Sequence, residues 1–359
     1  MTNHSPNAYM TLALQLAARG RATVSPNPMV GCVIVKNEHI VGQGWHERVG
    51  GPHAEIVALQ AAGEKAADAT AYVTLEPCCH HGRTPPCTDA LIRAGVKEIY
   101  AASLDPNPLV AGKGVAALRA AGIKVNIGLC ATEATALNEI FFHYIKYKKP
   151  LVIAKWAMSL DGKMVTHQND TRQISGHEST MHTHQTRQMV DAILIGAKTA
   201  RLDNPELTAR FHNEHNNKQP LRIILTGKEK LSIDLKIFAT NAPAKTLLVA
   251  TEENAAHYQQ MDHIEIITAA KNQQGLIDLP ELLTHLGNRE ITSLLVEGGA
   301  HVHQSFFQEN LVNKIQVYLA PTIIGNLEKK LALGSMDINF LGKDIFINTH
   351  VGSQICSAE

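Results

Sequence analysis

The sequence predicts two α/β domains in tandem, and three observations carry that expectation. Strand-like apolar runs alternate with helix-like segments through both halves of the chain, the pattern of layered α/β folds. The basic run Lys146-Tyr147-Lys148-Lys149 ends at Pro150 and reads as a solvated linker, which sets the domains at 1–147 and 150–359. The 359 residues are enough for two cores of ordinary size.

In the first half, Asn7 to Arg19 reads as an amphipathic helix. Its apolar positions are too interrupted for a secretory signal core. Met29–Val35 and Ile40–Trp45 are predicted strands joined by the polar turn Lys36-Asn37-Glu38. Gly50-Gly51-Pro52 breaks the chain, and a helix begins around His53. A strand at Ala71–Leu75 leads into Pro77-Cys78, and Pro86-Cys87 opens a short helix, Thr88–Arg93. Strands Ile99–Ala102 and Val125–Ile127 flank a helix at Gly114–Ala121, and Ala131–Tyr147 reads as one closing helix.

The second half starts with the strand Leu151–Trp156, followed by Ala157-Met158-Ser159-Leu160-Asp161-Gly162-Lys163. A helix from Glu178 to Val190 leads to strand Ala192–Gly196. Arg222–Leu225, Thr246–Ala250, Ile264–Ile267, Ser293–Glu297 and Lys314–Leu319 supply further strands. No glycine-x-glycine-x-x-glycine follows the first strand, so a Rossmann dinucleotide site is not supported.

Composition excludes several classes. Formal net charge is zero, which leaves no electrostatic footprint for nucleic acid or an anionic membrane surface. No apolar run approaches the ~20 residues a membrane helix needs. The six cysteines are neither dense nor regularly spaced, so the expected compartment is reducing and cytoplasmic.

Chemistry concentrates first at His53-Ala54-Glu55, Pro77-Cys78 and Pro86-Cys87. One imidazole and two thiolates suit three corners of a tetrahedral zinc site, and a missing fourth ligand leaves room for water. The ion lowers that water's pKa, and Glu55 is close enough to handle its proton without binding the metal. The bland alternative is a structural site whose fourth ligand comes from Cys79, His80 or His81. Cys79 otherwise reads as a bystander thiol; His80 and His81 read as ligand-contacting or as surface, and Arg83 and Thr84 are better placed to touch ligand. In the second half, Gly196-Ala197-Lys198-Thr199, Asp203-Asn204-Pro205-Glu206-Leu207-Thr208-Ala209-Arg210 and Val296-Glu297-Gly298-Gly299-Ala300-His301 stand out. The last is a strand entering a glycine turn and a helix, an arrangement that accepts phosphate, although a glycine pair alone is a weak signal. Lys155 either snorkels to the surface or points into a cleft. Asp161 and Asp203 read equally as turn formers or functional groups. His182, His184, His212 and His215 read as solvated, and Trp45 and Trp156 as core.

The spacing carries a resemblance. Cys78 and Cys87 lie nine positions apart, with Cys79-His80-His81-Gly82-Arg83-Thr84-Pro85-Pro86 between them, and Pro26-Asn27-Pro28-Met29-Val30-Gly31 stands upstream. These features resemble the deaminase half of the bifunctional riboflavin-biosynthesis deaminase/reductases. Ser159-Leu160-Asp161-Gly162 and Glu297-Gly298-Gly299 are similar, in order and spacing, to the reductase half of the same family. The resemblance spans about residues 7 to 340. It implies a cytidine-deaminase-like α/β/α domain followed by a dihydrofolate-reductase-like α/β domain. It further implies zinc on His53, Cys78 and Cys87, with Glu55 shuttling the proton while a pyrimidine ribotide loses its 2-amino group. Asn27 would contact that substrate. The second domain would then reduce ribosyl to ribityl with NADPH. Ala157, Gln173, Thr199, Asp203, Gly299, Ala300, His301, Val302, His303, Gln304 and Ser305 fall at cofactor positions. Thr171, Arg187, Leu207, Arg210 and Glu297 fall at substrate positions, where the two arginines suit a phosphate. Gln173 departs from the family's usual tryptophan, which motivates an alternative with an active deaminase and a non-functional reductase. A homodimer through the reductase domain is also expected.

Overall fold

The computed structural model describes residues 5–80, 85–164, 174–210, 218–227, 229–258, 261–325, 331–341 and 344–351. The chain divides into two compact units, Met1–Leu151 with Leu283–Ser293, and Val152–Leu282 with Leu294–Glu359.

The first unit opens with helix α1 (Pro6–Ala18). Ser5 caps it by accepting the Ala8 N–H, and Pro6 at the first turn has no N–H to leave unsatisfied. Strands β1 (Gly31–Lys36) and β2 (His39–Trp45) form a hairpin whose two turn residues, Asn37 and Glu38, both have positive φ (49° and 62°). That backbone is the tight turn whose twist matches the strands. Helix α2 (Ala54–Ala62), strand β3 (Thr70–Val73), helix α3 (Cys87–Arg93) and strand β4 (Glu98–Ala101) follow. Helix α4 (Lys113–Ala120), strand β5 (Lys124–Ile127) and helices α5 (Ala131–Leu137) and α6 (Glu139–Tyr147) complete this stretch.

The sheet order is β2-β1-β3-β4-β5, with β1 antiparallel to both neighbours and β3, β4 and β5 parallel. Strand alternation decides the layers. Cys32 and Ile34 face a core built with Ala54 and Ala58 of α2, Leu91 of α3 and Leu118 of α4. Val33 and Val35 face the opposite core, with Met10, Ala13 and Leu16 of α1 and Ala134 of α5. The result is an α/β/α sandwich.

The expected single closing helix is two. Asn138 breaks it, and its buried amide explains why: Oδ1 accepts from the Met29 N–H (2.8 Å) and Nδ2 donates to the Met29 carbonyl (2.9 Å). These two bonds fix the Pro-Asn-Pro-Met segment at the edge of the site, and a continuous helix would not deliver them.

In the second unit, β6 (Leu151–Ser159) runs three residues beyond its predicted end and enters the unit at Val152. It is followed by α7 (His177–Met189), β7 (Ala192–Gly196), α8 (Ala197–Asp203), β8 (Leu221–Gly227) and β9 (Thr246–Ala250). Then come α9 (Glu252–Ala255), β10 (Glu265–Thr268), α10 (Leu279–Asn288), which belongs to the first unit from Leu283 on, β11 (Ser293–Val296), α11 (Ala300–Gln308) and β12 (Lys314–Ala320). The seven-stranded order is β10-β9-β8-β7-β11-β6-β12. The pairs β10/β9, β9/β8, β8/β7, β7/β11 and β6/β12 are parallel. Ile193, Leu194 and Ile195 are fully buried, as an apolar run in a parallel strand covered on both faces should be. Strands β13 (Thr322–Ile323), β14 (Leu331–Leu341) and β15 (Asp344–Val351), none of them anticipated, form a separate antiparallel sheet.

Asp161 resolves as a turn former. It accepts from the Ser159 hydroxyl (2.6 Å) and from the N–H groups of Ile324 (3.0 Å) and Gly325 (2.7 Å). The Ser159 bond and these backbone donors hold its carboxyl down at about 2.

Candidate functional site

His53 stands at the N-cap of α2, and Cys87 opens α3. His53 Nδ1 lies 3.2 Å from Cys87 Sγ and 3.5 Å from Cys78 Sγ, and the Cys87 N–H donates to Cys78 Sγ (3.4 Å). Ligand atoms around a tetrahedral zinc sit roughly 3.4–3.8 Å apart, given its bond lengths. The three donors, all within 4.8 Å of one another, therefore fit that ion. Cys79 and His80 stand outside the group, and His81, Arg83 and Thr84 lie outside the described residues. Among the described residues the group has three protein ligands, the number expected of a catalytic rather than a structural site.

The two thiols share their ionisation: the Cys87 hydrogen bond lowers Cys78 to about 4, while Cys87 itself is pushed up by Cys78 and by burial. Glu55, 3% exposed, has its carboxyl raised to about 7, chiefly by burial and then by the Cys78 charge.

A cavity of about 430 Å3 opens here, lined by Asn27, His46, Glu55, His80, Asp105 and Asn107 among others. His46 Nδ1 lies 3.0 Å from the Pro52 carbonyl, which requires the proton on that nitrogen. Nε2 is then the acceptor for Asn27 Nδ2 at 3.2 Å, so Asn27 keeps its Oδ1 for another donor. Burial lowers the His46 pKa, consistent with a neutral ring.

Glu76 organises the far wall. Its buried carboxylate accepts from the N–H groups of Asp105 (3.2 Å), Gly112 (2.9 Å) and Val115 (3.0 Å). A side chain on Gly114 would come within 2.1 Å of the Pro77 carbonyl, so only glycine lets the start of α4 close on the segment after β3 that carries Cys78. Sequence reasoning missed His46, Glu76, Asp105 and Asn107. Asp105-Pro106-Asn107-Pro108 reads locally as a turn, and the roles of Glu76 and His46 emerge only from partners distant in sequence.

In the second unit, Glu297 follows β11 and is held by two cations. Arg187 of α7 meets it with Nε–Oε1 at 2.7 Å and Nη2–Oε2 at 2.9 Å, and Lys155 Nζ lies 3.9 Å from Oε2. Burial raises the Glu297 pKa, but Arg187 and Lys155 outweigh it and the net shift is downward. Burial lowers that of Lys155, whose Nζ also sits 5.1 Å from the Tyr318 ring centre. Lys155 therefore points inward, with 15% of its side chain exposed. The guanidinium fork of Arg187, matched to a phosphate by residue type, is spent on Glu297 and, through Nη1, on the Thr208 carbonyl (3.1 Å).

His184 corrects a second expectation. It is buried, with Nδ1 3.1 Å from the Thr208 carbonyl and 3.2 Å from the Arg210 nitrogen, and burial, then Arg187 and Arg210, lower its pKa. His182 is exposed, as expected, with Nδ1 2.7 Å from the Tyr318 hydroxyl. Trp45 and Trp156 are half-buried rather than core: Arg19 lies over Trp45, and Trp156 packs on His303 and Phe307. His212 and His215 lie outside the described residues.

The glycine turn leads into α11 with Gly299 at its N-cap. Gly298 must lack a side chain because a Cβ would come within 2.9 Å of Val302, which packs down on the ends of β7 and β11. Thr199 Oγ1 accepts the Gly299 N–H (2.9 Å), joining α8 to the turn. By helix geometry the N–H groups of Ala300 and His301 face out of the first turn, and both residues are exposed, which fits an anionic cofactor group. Gln304 is exposed, Ser305 half-buried with its hydroxyl on the His301 carbonyl, and His303 buried. Ala157 is half-buried in β6, and Asp203 is exposed at the end of α8. Leu207 is buried with φ 51°, and Arg210 is exposed and paired with Glu206. Thr171 and Gln173 lie outside the described residues. No helix among the described residues is long and apolar enough to cross a membrane.

Two family profiles match the chain: the cytidine and deoxycytidylate deaminase zinc-binding region over residues 3–103, and the RibD C-terminal domain over residues 150–344. Riboflavin biosynthesis protein RibD of Actinobacillus pleuropneumoniae is 42% identical over 331 residues, covering 92% of this chain and 87% of that protein. That of Aquifex aeolicus is 42% identical over 354 residues, covering 94% and 96%. Among solved structures, Acinetobacter baumannii RibD superposes with TM-score 0.80 at 35% identity, covering 97% of this chain and 99% of the other. A Thermotoga maritima diaminohydroxyphosphoribosylaminopyrimidine deaminase/5-amino-6-(5-phosphoribosylamino)uracil reductase does so with TM-score 0.80 at 32% identity, covering 96% and 98%. The chain belongs to the RibD family of riboflavin biosynthesis, bifunctional enzymes that join a zinc-dependent deaminase to an NADPH-dependent reductase.

Proposed function

We propose that the first domain removes the 2-amino group of 2,5-diamino-6-(5-phosphoribosylamino)pyrimidin-4-one as ammonia, and that the second reduces the ribosyl group of the product to ribityl. The observation that carries this reading is the His53/Cys78/Cys87 donor set beside Glu55 at a cavity of about 430 Å3. That volume is in the range of small-molecule sites.

His53, Cys78 and Cys87 would hold the metal. Zinc supplies Lewis acidity that lets water attack carbon near neutral pH. Glu55 takes a proton from the attacking water and returns it to the departing nitrogen. Burial favours its neutral form, which suits a group that must both accept and donate. Asn27, oriented by His46, offers Oδ1 to an N–H of the ring.

In the reductase, Ala157, Gln173, Thr199, Asp203 and the turn from Gly299 to Ser305 would hold the cofactor, as the family resemblance implies, and the cofactor would supply the hydride. With hydride supplied by that cofactor, C1′ would be reduced, the C1′–O4′ bond would open, and O4′ would gain a proton. Thr171, Arg187, Leu207, Arg210 and Glu297 surround the substrate. Arg210, exposed and, among the described residues, held by the exposed Glu206 carboxylate and the Thr208 hydroxyl (3.0 Å), takes the phosphate, whereas Arg187 orients Glu297. Buried Leu207 contributes through its backbone.

Two further readings rest on single features. The edge strand β12 exposes Ile315 (53%) and Val317 (40%), which supports a homodimer through the reductase domain. The free thiols support a reducing, cytoplasmic setting.

A coupled assay with the diaminopyrimidine ribotide, NADPH and quantified zinc tests the function. Ammonia release followed by NADPH oxidation, with about one zinc per chain as a three-ligand site requires, is expected. Glu55→Gln should abolish ammonia release and leave NADPH oxidation on the deaminated substrate intact. Deamination by that variant would overturn the role of Glu55, and ammonia without NADPH oxidation would restore the reading of an inactive reductase.

A further inference from the structure

The segment from Asn204 to Arg210 has no regular structure, yet side chains hold its backbone almost residue by residue. Arg222 Nη1 donates to the Glu206 carbonyl (3.1 Å), and Arg187 Nη1 to that of Thr208 (3.1 Å). The Gln219 amide bonds both the N–H and the carbonyl of Ala209 (2.9 Å each). The Arg210 N–H faces His184 Nδ1 at 3.2 Å.

His184 Nδ1 is also 3.1 Å from the Thr208 carbonyl, and one ring nitrogen cannot donate to that oxygen while accepting from Arg210. The Thr208 carbonyl already accepts from Arg187, whereas the Arg210 N–H has no other acceptor among the described residues, so the His184 proton is assigned to Nε2 and the Nδ1 lone pair to Arg210. His184 and Arg187 sit three residues apart on α7, on one helix face, so a single helix holds both Glu297 and this loop.

We propose that His184 is a positioning residue of the reductase, whose Nδ1 lone pair fixes the Arg210 main chain and thereby presents the Arg210 guanidinium to the substrate's phosphate. This rests on Arg210 being the phosphate-binding group. The imidazole touches neither substrate nor cofactor in this role; it acts only through Arg210.

The test is a double-mutant cycle in the full enzyme, reading reductase KM and kcat on the deaminated ribotide together with ammonia release. His184→Ala should raise the reductase KM about tenfold, the weight of one buried hydrogen bond, with kcat and ammonia release nearly unchanged. His184→Asn should recover most of that loss, because its Oδ1 sits where Nδ1 was. Arg210→Ala should raise KM about 100-fold, as loss of a charge-assisted phosphate contact does. In the Arg210→Ala background, His184→Ala should add nothing. Equal factors with and without Arg210, or an Asn variant no better than Ala, would overturn the role of His184 alone. An unchanged KM in Arg210→Ala would overturn the phosphate assignment and the proposal with it.

Discussion

Replacing Glu76 by alanine tests whether one carboxylate holds the deaminase pocket together. Three backbone N–H groups end on it, at 3.2, 2.9 and 3.0 Å, and the side chain is almost wholly buried. A hydrogen bond to a charged acceptor contributes about 1.5–3 kcal/mol. The three do not add in full, because the N–H groups of Gly112 and Val115 belong to the start of α4 and can in part be rehydrated. Loss of about 3–5 kcal/mol is expected, with up to ~1 kcal/mol of it from the α4 dipole. For a domain of this size that lowers its melting temperature by about 6–20 °C. Glu76→Gln keeps one acceptor oxygen but turns an N–H toward an N–H, so it should fall between the two. Calorimetry of the zinc-loaded enzyme would show the first domain's transition moving and the second staying. Because the Asp105 N–H is one of the three, the deaminase KM should rise in the Gln variant at full zinc content. An Ala variant that melts with the parent and keeps its KM would refute the argument.

Other outcomes follow from the same geometry. Glu297→Ala leaves Arg187 and Lys155 buried without their counter-charge and should destabilise the second domain by about 3–5 kcal/mol. Denaturant melts followed by NADPH oxidation would check this, and a neutral effect would mean that water reaches both cations. Chelation of the metal should stop ammonia release while NADPH oxidation on the deaminated substrate persists; loss of both would show that zinc also supports the reductase. Asp161, held at about 2 against an ordinary 3.8, stabilises its turn above pH ~4, and that stability is lost as pH falls toward 2. Asp161→Asn should therefore flatten the acid limb of the second domain's unfolding curve, and coincident limbs would refute it.

Zinc chemistry dictates residue type so strongly that His53, Cys78 and Cys87 were legible before any coordinates. Strands Ala192–Gly196 and Thr246–Ala250 were legible to the residue, because short apolar runs in a doubly covered sheet begin at charged neighbours, Asp191 and Lys245, and end at Gly196 and before Thr251. What escaped was set by partners far along the chain. Asn138 breaks a helix for the sake of Met29, 109 residues away, and Arg187 pairs with Glu297, 110 residues away. His184 read as solvated because α7 is polar along its length, and no periodicity marks one buried imidazole among its His, Glu, Ser and Thr residues. Strands β14 and β15 mix polar and apolar residues without strict alternation, so nothing local separated them from loop.

The order of strands in the second sheet has a consequence for synthesis. β6 and β7 leave the ribosome early, yet they are not neighbours, and β11 must enter between them after about 100 further residues. Until Ser293–Val296 emerges, both strands present unpaired inner edges to other nascent chains, and those edges are rich in Ile, Leu and Val. The last central strand also delivers Glu297 to Arg187 and Lys155, so closure of the sheet and completion of the ion cluster are a single late event. A chain stopped before β11 would expose an aggregation-prone half-sheet rather than a smaller reductase.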